Sequence, residues 1–194
     1  QTSMNSLMNN HEKIIKRMRN SAISYLARYE VSEFQFQNTM IRKLSNFENE
    51  LDEKLKIEII DKIKKEMIVA RYIDDKRFAE SKSRSIRRQG GSERLIYAKL
   101  KEKGVQDNII KSAIDIVDEG SKNAEIIAAI NFIKKKKIGV FYNGKTIGNP
   151  IDPYVLKDKW YGTLSRRGFS LSIIKKVLDI IDIENAYFIL EDNI

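Results

Sequence analysis

The 194-residue sequence contains no cysteine, one histidine and two prolines. The absence of cysteine excludes disulfides and thiolate metal sites. The single histidine, His11, lies in a polar N-terminal stretch, so neither a Ser-His-Asp nor a Cys-His catalytic set can be assembled. No apolar run approaches the roughly 20 residues that a membrane span needs. We therefore expect a cytoplasmic protein that is not an enzyme, holds no cofactor or metal and has no membrane partner.

Positive charge is in excess along the chain. The sequence has 36 Lys and Arg against 27 Asp and Glu, a formal net charge of +9. Such an excess indicates a polyanionic partner, either nucleic acid or a strongly acidic protein surface. The alternative is a solvated, lysine-rich surface without a specific partner, and composition alone leaves the two interpretations open.

The excess is concentrated in residues 71–104, which hold eleven Lys or Arg and five Asp or Glu. Asp74 and Asp75 predict a helix start, because carboxylates there accept free backbone N–H groups and suit the positive end of the helix dipole. The helix extends to about Gln89, and at 100° per residue one side is apolar. That side carries Phe78, Ala79 and Ile86. The opposite side carries a row of guanidinium groups, Arg77, Arg84 and Arg88, with Arg87 at its edge.

The candidate partner-binding or DNA-binding residues extend this row. Arginine is suited to bidentate recognition of carboxylate or phosphate. The helix after the Gly90-Gly91 break and an equivalent place near residue 166 add further cations. The full set is Arg77, Arg84, Arg87, Arg88, Arg94, Lys101, Lys103, Arg166 and Arg167.

A repeat at an offset of 64 residues defines the organisation. Tyr97, Leu100 and Gly104 reappear as Tyr161, Leu164 and Gly168, and the matches continue through the following helix. A glycine followed by an apolar residue is typical of a Schellman-type helix end, so the repeated glycines predict a structural role. The unit is a three-helix module, and the first three helices fit the same order more loosely.

These patterns predict an all-α fold of three tandem three-helix repeats in an elongated, curved array. We expect a polar N-terminal arm or a frayed helix start at residues 1–20, repeats at 21–72, 73–120 and 121–183, and an acidic tail at 184–194. Near residues 138–148, Val140 and Tyr142, an Asn143-Gly144 turn and a return through Thr146 predict a short β-hairpin inserted in the third repeat.

The run YIDDKRFAES, followed by a basic helix, a glycine break and LKEKGV, resembles the signature region of the RecX family of RecA recombinase regulators. The resemblance includes Arg77-Phe78-Ala79, Arg84, Gly90 and the spacing of Leu100, Lys103 and Gly104, whereas the family's usual residues are replaced at Lys82, Ser92 and Leu95.

This resemblance implies three tandem three-helix repeats and a non-enzymatic monomer that binds the RecA filament on single-stranded DNA. It also implies inhibition of filament assembly, ATP hydrolysis and strand exchange in recombination, DNA repair and the SOS response. Any direct contact with single-stranded DNA would be weak and electrostatic. The alternative is an independent nucleic-acid-binding protein, such as a helical DNA-binding regulator.

Overall fold

The computed structural model of the protein describes residues 2–144 and 151–192, with side chains from residue 10 onward. These residues form ten α-helices and one 3₁₀ turn, and none of them lies in a β-strand, which confirms the all-α prediction. The helices are α1 Thr2–Leu26, α2 Glu33–Phe47, α3 Glu53–Val69, α4 Asp75–Arg88, α5 Glu93–Glu102, α6 Asp107–Val117, α7 Ala124–Lys136, α8 Pro153–Arg166, α9 Leu171–Leu178 and α10 Ile183–Glu191.

The chain forms two compact units. The first contains Gln1–Phe78 and Glu102–Ile109, and the second contains Ala79–Lys101 and Ile110–Ile194. Each unit therefore combines one end of the chain with part of the central segment. The boundaries predicted for the three repeats stay a prediction.

Helices α1, α2 and α3 enclose the core of the first unit. Its fully buried side chains include Met18, Phe36, Met40, Leu44, Ile60 and Ile63. Residues 2–20, predicted as a polar arm or a frayed helix start, lie in α1, in which Ile14, Met18 and Ala22 are buried. The three residues are spaced four apart, so a narrow apolar stripe packs the helix although its other faces are polar.

Helix α7 is at the centre of the second unit and packs against α9 and α10, while α8 packs against α9. The buried set includes Ala129, Ile130, Ile133, Leu164, Ile174, Val177 and Ala186. Residues 184–191, predicted as part of an acidic tail, lie in α10, whose N-cap Asp182 accepts a hydrogen bond from the Asn185 N–H at 2.7 Å. Burial of Ala186 on α10 anchors this helix to the core.

The prediction of a first hairpin strand through Val140 and Tyr142 is wrong. Gly139–Phe141 forms a 3₁₀ turn, and Val140 and Phe141 pack on the core of the second unit. Phe141 also contacts Tyr187 edge-on, with ring centroids 6.0 Å apart. The apolar residues that resembled an alternating strand are therefore used for packing in a tight turn. The predicted return through Thr146 and Ile147 lies outside the described residues.

In each unit, the start of one helix makes the same set of hydrogen bonds to the end of a second helix and the start of a third. We call this arrangement a joint. In the first joint, the buried Ser32 caps α2, and its Oγ donates a hydrogen bond to the Lys103 carbonyl at the end of α5, at 2.5 Å. The next residue, Glu33, donates its N–H to the Asp75 carboxylate in the first turn of α4, at 2.8 Å. The end of α5 and the start of α4 thus both accept hydrogen bonds from the start of α2.

The second joint repeats these contacts with other residues. The buried Ser92 accepts the Leu95 N–H at the start of α5, and its Oγ donates to the Arg167 carbonyl after α8, at 2.8 Å. The Glu93 N–H donates to the carboxylate of Glu125 in the first turn of α7, at 2.5 Å. Lys103 and Arg167 are related by the 64-residue offset, so the sequence repeat corresponds to a repeated joint.

Candidate functional site

Helix α4 begins as its acidic start predicts. The Asp74 carboxylate accepts the N–H groups of Lys76 and Arg77 at 3.0 and 3.1 Å. Phe78 is buried, as expected from its face of the helix. Ile86, which was predicted to be buried, is only half-buried. The polar Ser83 is fully buried, so the buried side of α4 is less apolar than the pattern indicated.

Arg84 and Arg88 form the exposed part of the predicted row. Both are solvent-exposed and lie one helical turn apart, so their side chains share a face of α4. Arg84 approaches the Glu80 carboxylate at 3.6 Å, and the Arg84 side chain remains 51% exposed. An i,i+4 pair of this kind contributes roughly 0.3–0.5 kcal/mol, so it does not prevent Arg84 from binding another anion.

Arg87 does not lie in the exposed row, because its side chain is only 10% exposed. Its guanidinium donates two hydrogen bonds to Asp118, at 3.0 and 2.6 Å, and a third to Glu125 at 2.9 Å. Burial alone would lower the pKa of Arg87, but the hydrogen bonds to the two carboxylates outweigh that effect and raise the pKa. Arg87 therefore links α4 to α7 and to the end of α6 within the second unit.

Arg77, at the start of the predicted row, belongs to the first unit and is half-exposed. Its Nε donates to the Glu30 carboxylate at 2.9 Å. Its terminal nitrogens donate to the carbonyls of Arg71 and Tyr72 at 3.1 and 3.4 Å. Its charge is thus partly used to hold the turn before α4.

The two arginines at the end of α8 differ in environment. Arg166 is exposed. Arg167 is half-buried, donates to the carbonyls of Gly90 and Gln89 at 3.3 and 3.2 Å, and lies 5.1 Å from the centroid of the Phe132 ring. Burial lowers the pKa of Arg167. Its side chain holds the α4–α5 turn, whereas Arg166 is available at the surface.

The remaining predicted cations lie on or just after α5. Arg94 and Lys101 are exposed members of the second unit, and Lys103 is a half-buried member of the first. Arg94 lines an open cavity of about 370 Å³ between α5 and α9, together with Tyr97, Gly168 and Ile173. The exposed candidates of the second unit are therefore Arg84, Arg88, Arg94, Lys101 and Arg166.

Sequence reasoning did not identify Asp118 and Glu125 as the partners of Arg87. They lie 31 and 38 residues farther along the chain, and no local pattern marks an acid that pairs over such a separation. Because these two acids bind Arg87, the charge of Arg87 is not available to a partner.

Within the described residues, no group of three or more His, Cys, Asp or Glu side chains is placed to hold a metal ion. The helices there also include none that is long and apolar enough to cross a membrane.

Comparison with known proteins indicates similarity to one family. Residues 74–114, which include α4 and α5, match the model of the second three-helix domain of RecX. A relative named regulatory protein RecX, from Myxococcus xanthus strain DK1622, is 28% identical over 166 residues, which are 84% of this chain and 84% of the relative. The chain is similar to RecX proteins over most of its length. The matched segment contains Arg84 and Arg88, so the basic helix lies in the part of the chain that the family model describes.

Two further proteins are similar to this chain. A regulatory protein RecX from Mycobacterium sp. strain JLS is 26% identical over 130 residues, or 66% of this chain and 65% of that protein. The crystal structure of RecX from Lactobacillus salivarius superimposes with a TM-score of 0.62 at 22% identity, covering 88% of this chain and 99% of that one. The latter likeness supports the fold.

Proposed function

We propose that this protein regulates a RecA-type recombinase by binding its filament on single-stranded DNA. Binding restrains filament assembly and, with it, ATP hydrolysis and strand exchange in recombination and DNA repair. The protein turns over no substrate and acts by competition and clamping. Similarity to the RecX family and the relatives' name, regulatory protein RecX, support this proposal.

The observation that carries the proposal is the pair of exposed arginines on α4. Arg84 and Arg88 are presented by a helix whose neighbouring Arg87 is fixed to Asp118 and Glu125. A helix held in this way presents its guanidinium groups in a defined geometry, which reduces the entropy that binding must overcome. Acidic side chains of a recombinase protomer and phosphates of its DNA are both suitable partners.

A titration of filament assembly tests this function. The recombinase is assembled on single-stranded DNA with ATP, and filament mass and ATP hydrolysis are followed as this protein is added. We expect both to fall as the protein approaches the recombinase concentration, while the protein without recombinase hydrolyses no ATP. Unchanged assembly and hydrolysis at a several-fold excess of this protein would contradict the proposal.

The second candidate, an independent nucleic-acid-binding protein, is favoured by the same exposed cations. The two functions differ in affinity. A filament regulator binds filaments much more tightly than bare single-stranded DNA, whereas an independent binder has equal or higher affinity for the bare strand. In the second case the logarithm of affinity should fall with the logarithm of salt by about 0.7 for each phosphate contacted.

A further inference from the structure

The seam between α1 and α2 in the first unit carries stacked cations and rings that the proposed function does not use. The guanidinium of Arg17 on α1 lies 3.9 Å from the centroid of the Phe47 ring at the end of α2. Arg17 is exposed, and the Phe47 side chain is 43% exposed. Part of the Phe47 ring therefore remains accessible at the surface beside the Arg17 guanidinium.

A second cation–ring pair lies on the same seam. The Lys43 ammonium on α2 is 5.4 Å from the centroid of the Tyr25 ring on α1, and it also donates to the Ser21 hydroxyl at 3.4 Å. Tyr25 in turn contacts Tyr29, with centroids 5.4 Å apart and planes tilted by 46°. Tyr29 is 56% exposed.

The charges at these rings are not neutralised by carboxylates. In the part of the chain that the structure describes, neither Arg17 nor Lys43 forms a salt bridge, whereas Arg19, two residues from Arg17, is bound to Glu66 through two hydrogen bonds of 2.7 and 2.9 Å. Arg19 therefore supports the fold. Arg17 and Lys43 keep their charge available to an incoming anion.

The two pairs lie at successive levels of the seam. Arg17 and Tyr25 are eight residues apart on α1, which is about 12 Å at 1.5 Å per residue, and Lys43 and Phe47 are one helical turn apart on α2. Glu48 and Glu50 follow Phe47 in the sequence, so the rings, rather than uniform positive charge, distinguish this surface.

We propose that the α1–α2 seam binds single-stranded nucleic acid, with bases stacked on Phe47 and Tyr29 and phosphates paired with Arg17 and Lys43. Aromatic platforms combined with basic side chains are the general means of binding single strands without sequence preference. Bases in a duplex are stacked on one another and cannot use such platforms. This inference rests on the proposed function for its biological setting, because it locates a strand contact of the regulated complex.

Binding of a fluorescent 20-nucleotide oligothymidylate to the isolated protein at low salt, without recombinase, tests the site. Phe47→Leu keeps apolar bulk but removes the ring, and we expect it to weaken binding by about tenfold, with Tyr29→Ala giving a similar loss. Arg17→Gln should lower the salt slope of log affinity by about 0.7. Tyr154→Ala on α8 and Lys62→Ala on α3 remove an exposed ring and an exposed charge elsewhere, and we expect them to bind within about twofold of wild type.

Thermal melting of each variant is measured alongside, and a comparison of oligouridylate with duplex DNA completes the test. Comparable binding of both single strands and weak binding of the duplex support stacking. Wild-type affinity in folded Phe47→Leu and Tyr29→Ala would overturn the inference, as would equal losses in the two control variants. A filament titration with Phe47→Leu separates the two proposals. If this variant binds the oligonucleotide normally and still regulates filaments, only the proposed seam site is refuted. If the wild-type protein has no effect on filaments, the proposed function is refuted.

Discussion

At the scale of single residues, Arg87 determines how α4 is held. Its guanidinium satisfies Asp118 and Glu125, which are themselves largely buried. Removing one member of such a cluster leaves the remaining charges without compensation in a poorly solvated place.

We predict that Arg87→Ala lowers the free energy of unfolding by about 2–4 kcal/mol. Arg84→Ala, on the same helix, should cost less than about 0.5 kcal/mol, because only an exposed i,i+4 pair is lost. Urea unfolding followed by circular dichroism measures both. Equal stabilities of the two variants would show that Arg87 does not anchor α4.

Asp75 gives a prediction for pH. Burial raises the pKa of the Asp75 carboxyl, the hydrogen bond from Glu33 N–H opposes that rise, and the charge of Asp74 adds to it. An acid whose pKa is higher in the folded state binds more protons when folded, so its contribution to stability improves as pH falls from neutral through the folded pKa. The ionised Asp75 is thus a cost at pH 7.

Asp75→Asn keeps an oxygen acceptor for Glu33 and removes the charge. We predict that it is as stable as wild type or more stable at pH 7, and that the difference shrinks as the pH is lowered toward 4. Asp75→Ala removes the acceptor and should lose about 1–3 kcal/mol at pH 7. The measurement is unfolding free energy against pH for the three proteins, and a difference between Asn and wild type that widens on acidification would contradict the assignment.

At the scale of elements, the joints connect helix starts to helix ends through the same atoms in both units. Ser32 and Ser92 each cap a helix and also donate to a carbonyl at a distant helix end. Replacing either serine therefore removes a cap and leaves a carbonyl without its partner.

We predict that Ser92→Ala lowers the free energy of unfolding by about 2 kcal/mol, from loss of the cap together with loss of the carbonyl hydrogen bond. Ser170→Ala is the matched control, because Ser170 caps α9 at an exposed position and should cost only about 0.5–1 kcal/mol. Thermal or urea unfolding of both variants tests this. Equal losses would mean that the contact with the Arg167 carbonyl contributes nothing.

Gly104, at the end of α5, has φ of +74°, and a Cβ added there would lie 2.4 Å from the Phe34 ring. Gly120 has nearly the same φ, +79°, but a Cβ there would meet no atom within 4 Å. Both Ala variants bear the left-handed strain of about 1–2 kcal/mol, and Gly104→Ala adds the cost of displacing Phe34. We therefore predict about 3 kcal/mol or more for Gly104→Ala, and unfolding curves that coincide for the two variants would exclude the close approach.

Helix identity could be predicted from the sequence because apolar spacing and caps are local. The start of α4 at Asp74 is as its pattern indicates. The 64-residue repeat was also visible, since it preserves side chains that pack or end helices. The joints were not visible, because Ser32 and Lys103 are 71 residues apart and pair through a backbone carbonyl that has no side-chain signature.

The candidate site could be predicted only in part, for a related reason. Helical geometry places Arg84 and Arg88 outward without reference to the rest of the chain. It also places Arg87 near that face, but the position of the distant acids decides whether its charge is exposed or buried. Likewise Arg167 follows Arg166 directly, yet the Phe132 ring and the carbonyls of the α4–α5 turn occupy only one of the two.

At the scale of the whole molecule, some cationic side chains bind other parts of the protein and others face solvent. Arg19, Arg87 and Arg167 hold helices together, whereas Arg84, Arg88 and Arg166 face solvent. A net charge of +9 therefore overstates the charge that is free to meet a partner. We propose that the exposed pair on α4, Arg84 and Arg88, binds the recombinase filament.

The most direct test is filament disassembly measured with Arg84→Glu/Arg88→Glu. The control, Lys54→Glu/Lys62→Glu, reverses two exposed charges on α3 and so has the same net charge. Thermal melting establishes that both variants are folded. We expect that at least about tenfold more of the α4 variant is needed for half-maximal disassembly, which corresponds to about 1.4 kcal/mol, while the control acts like wild type. Wild-type potency in the folded α4 variant, or the same loss in the control, would contradict this proposal.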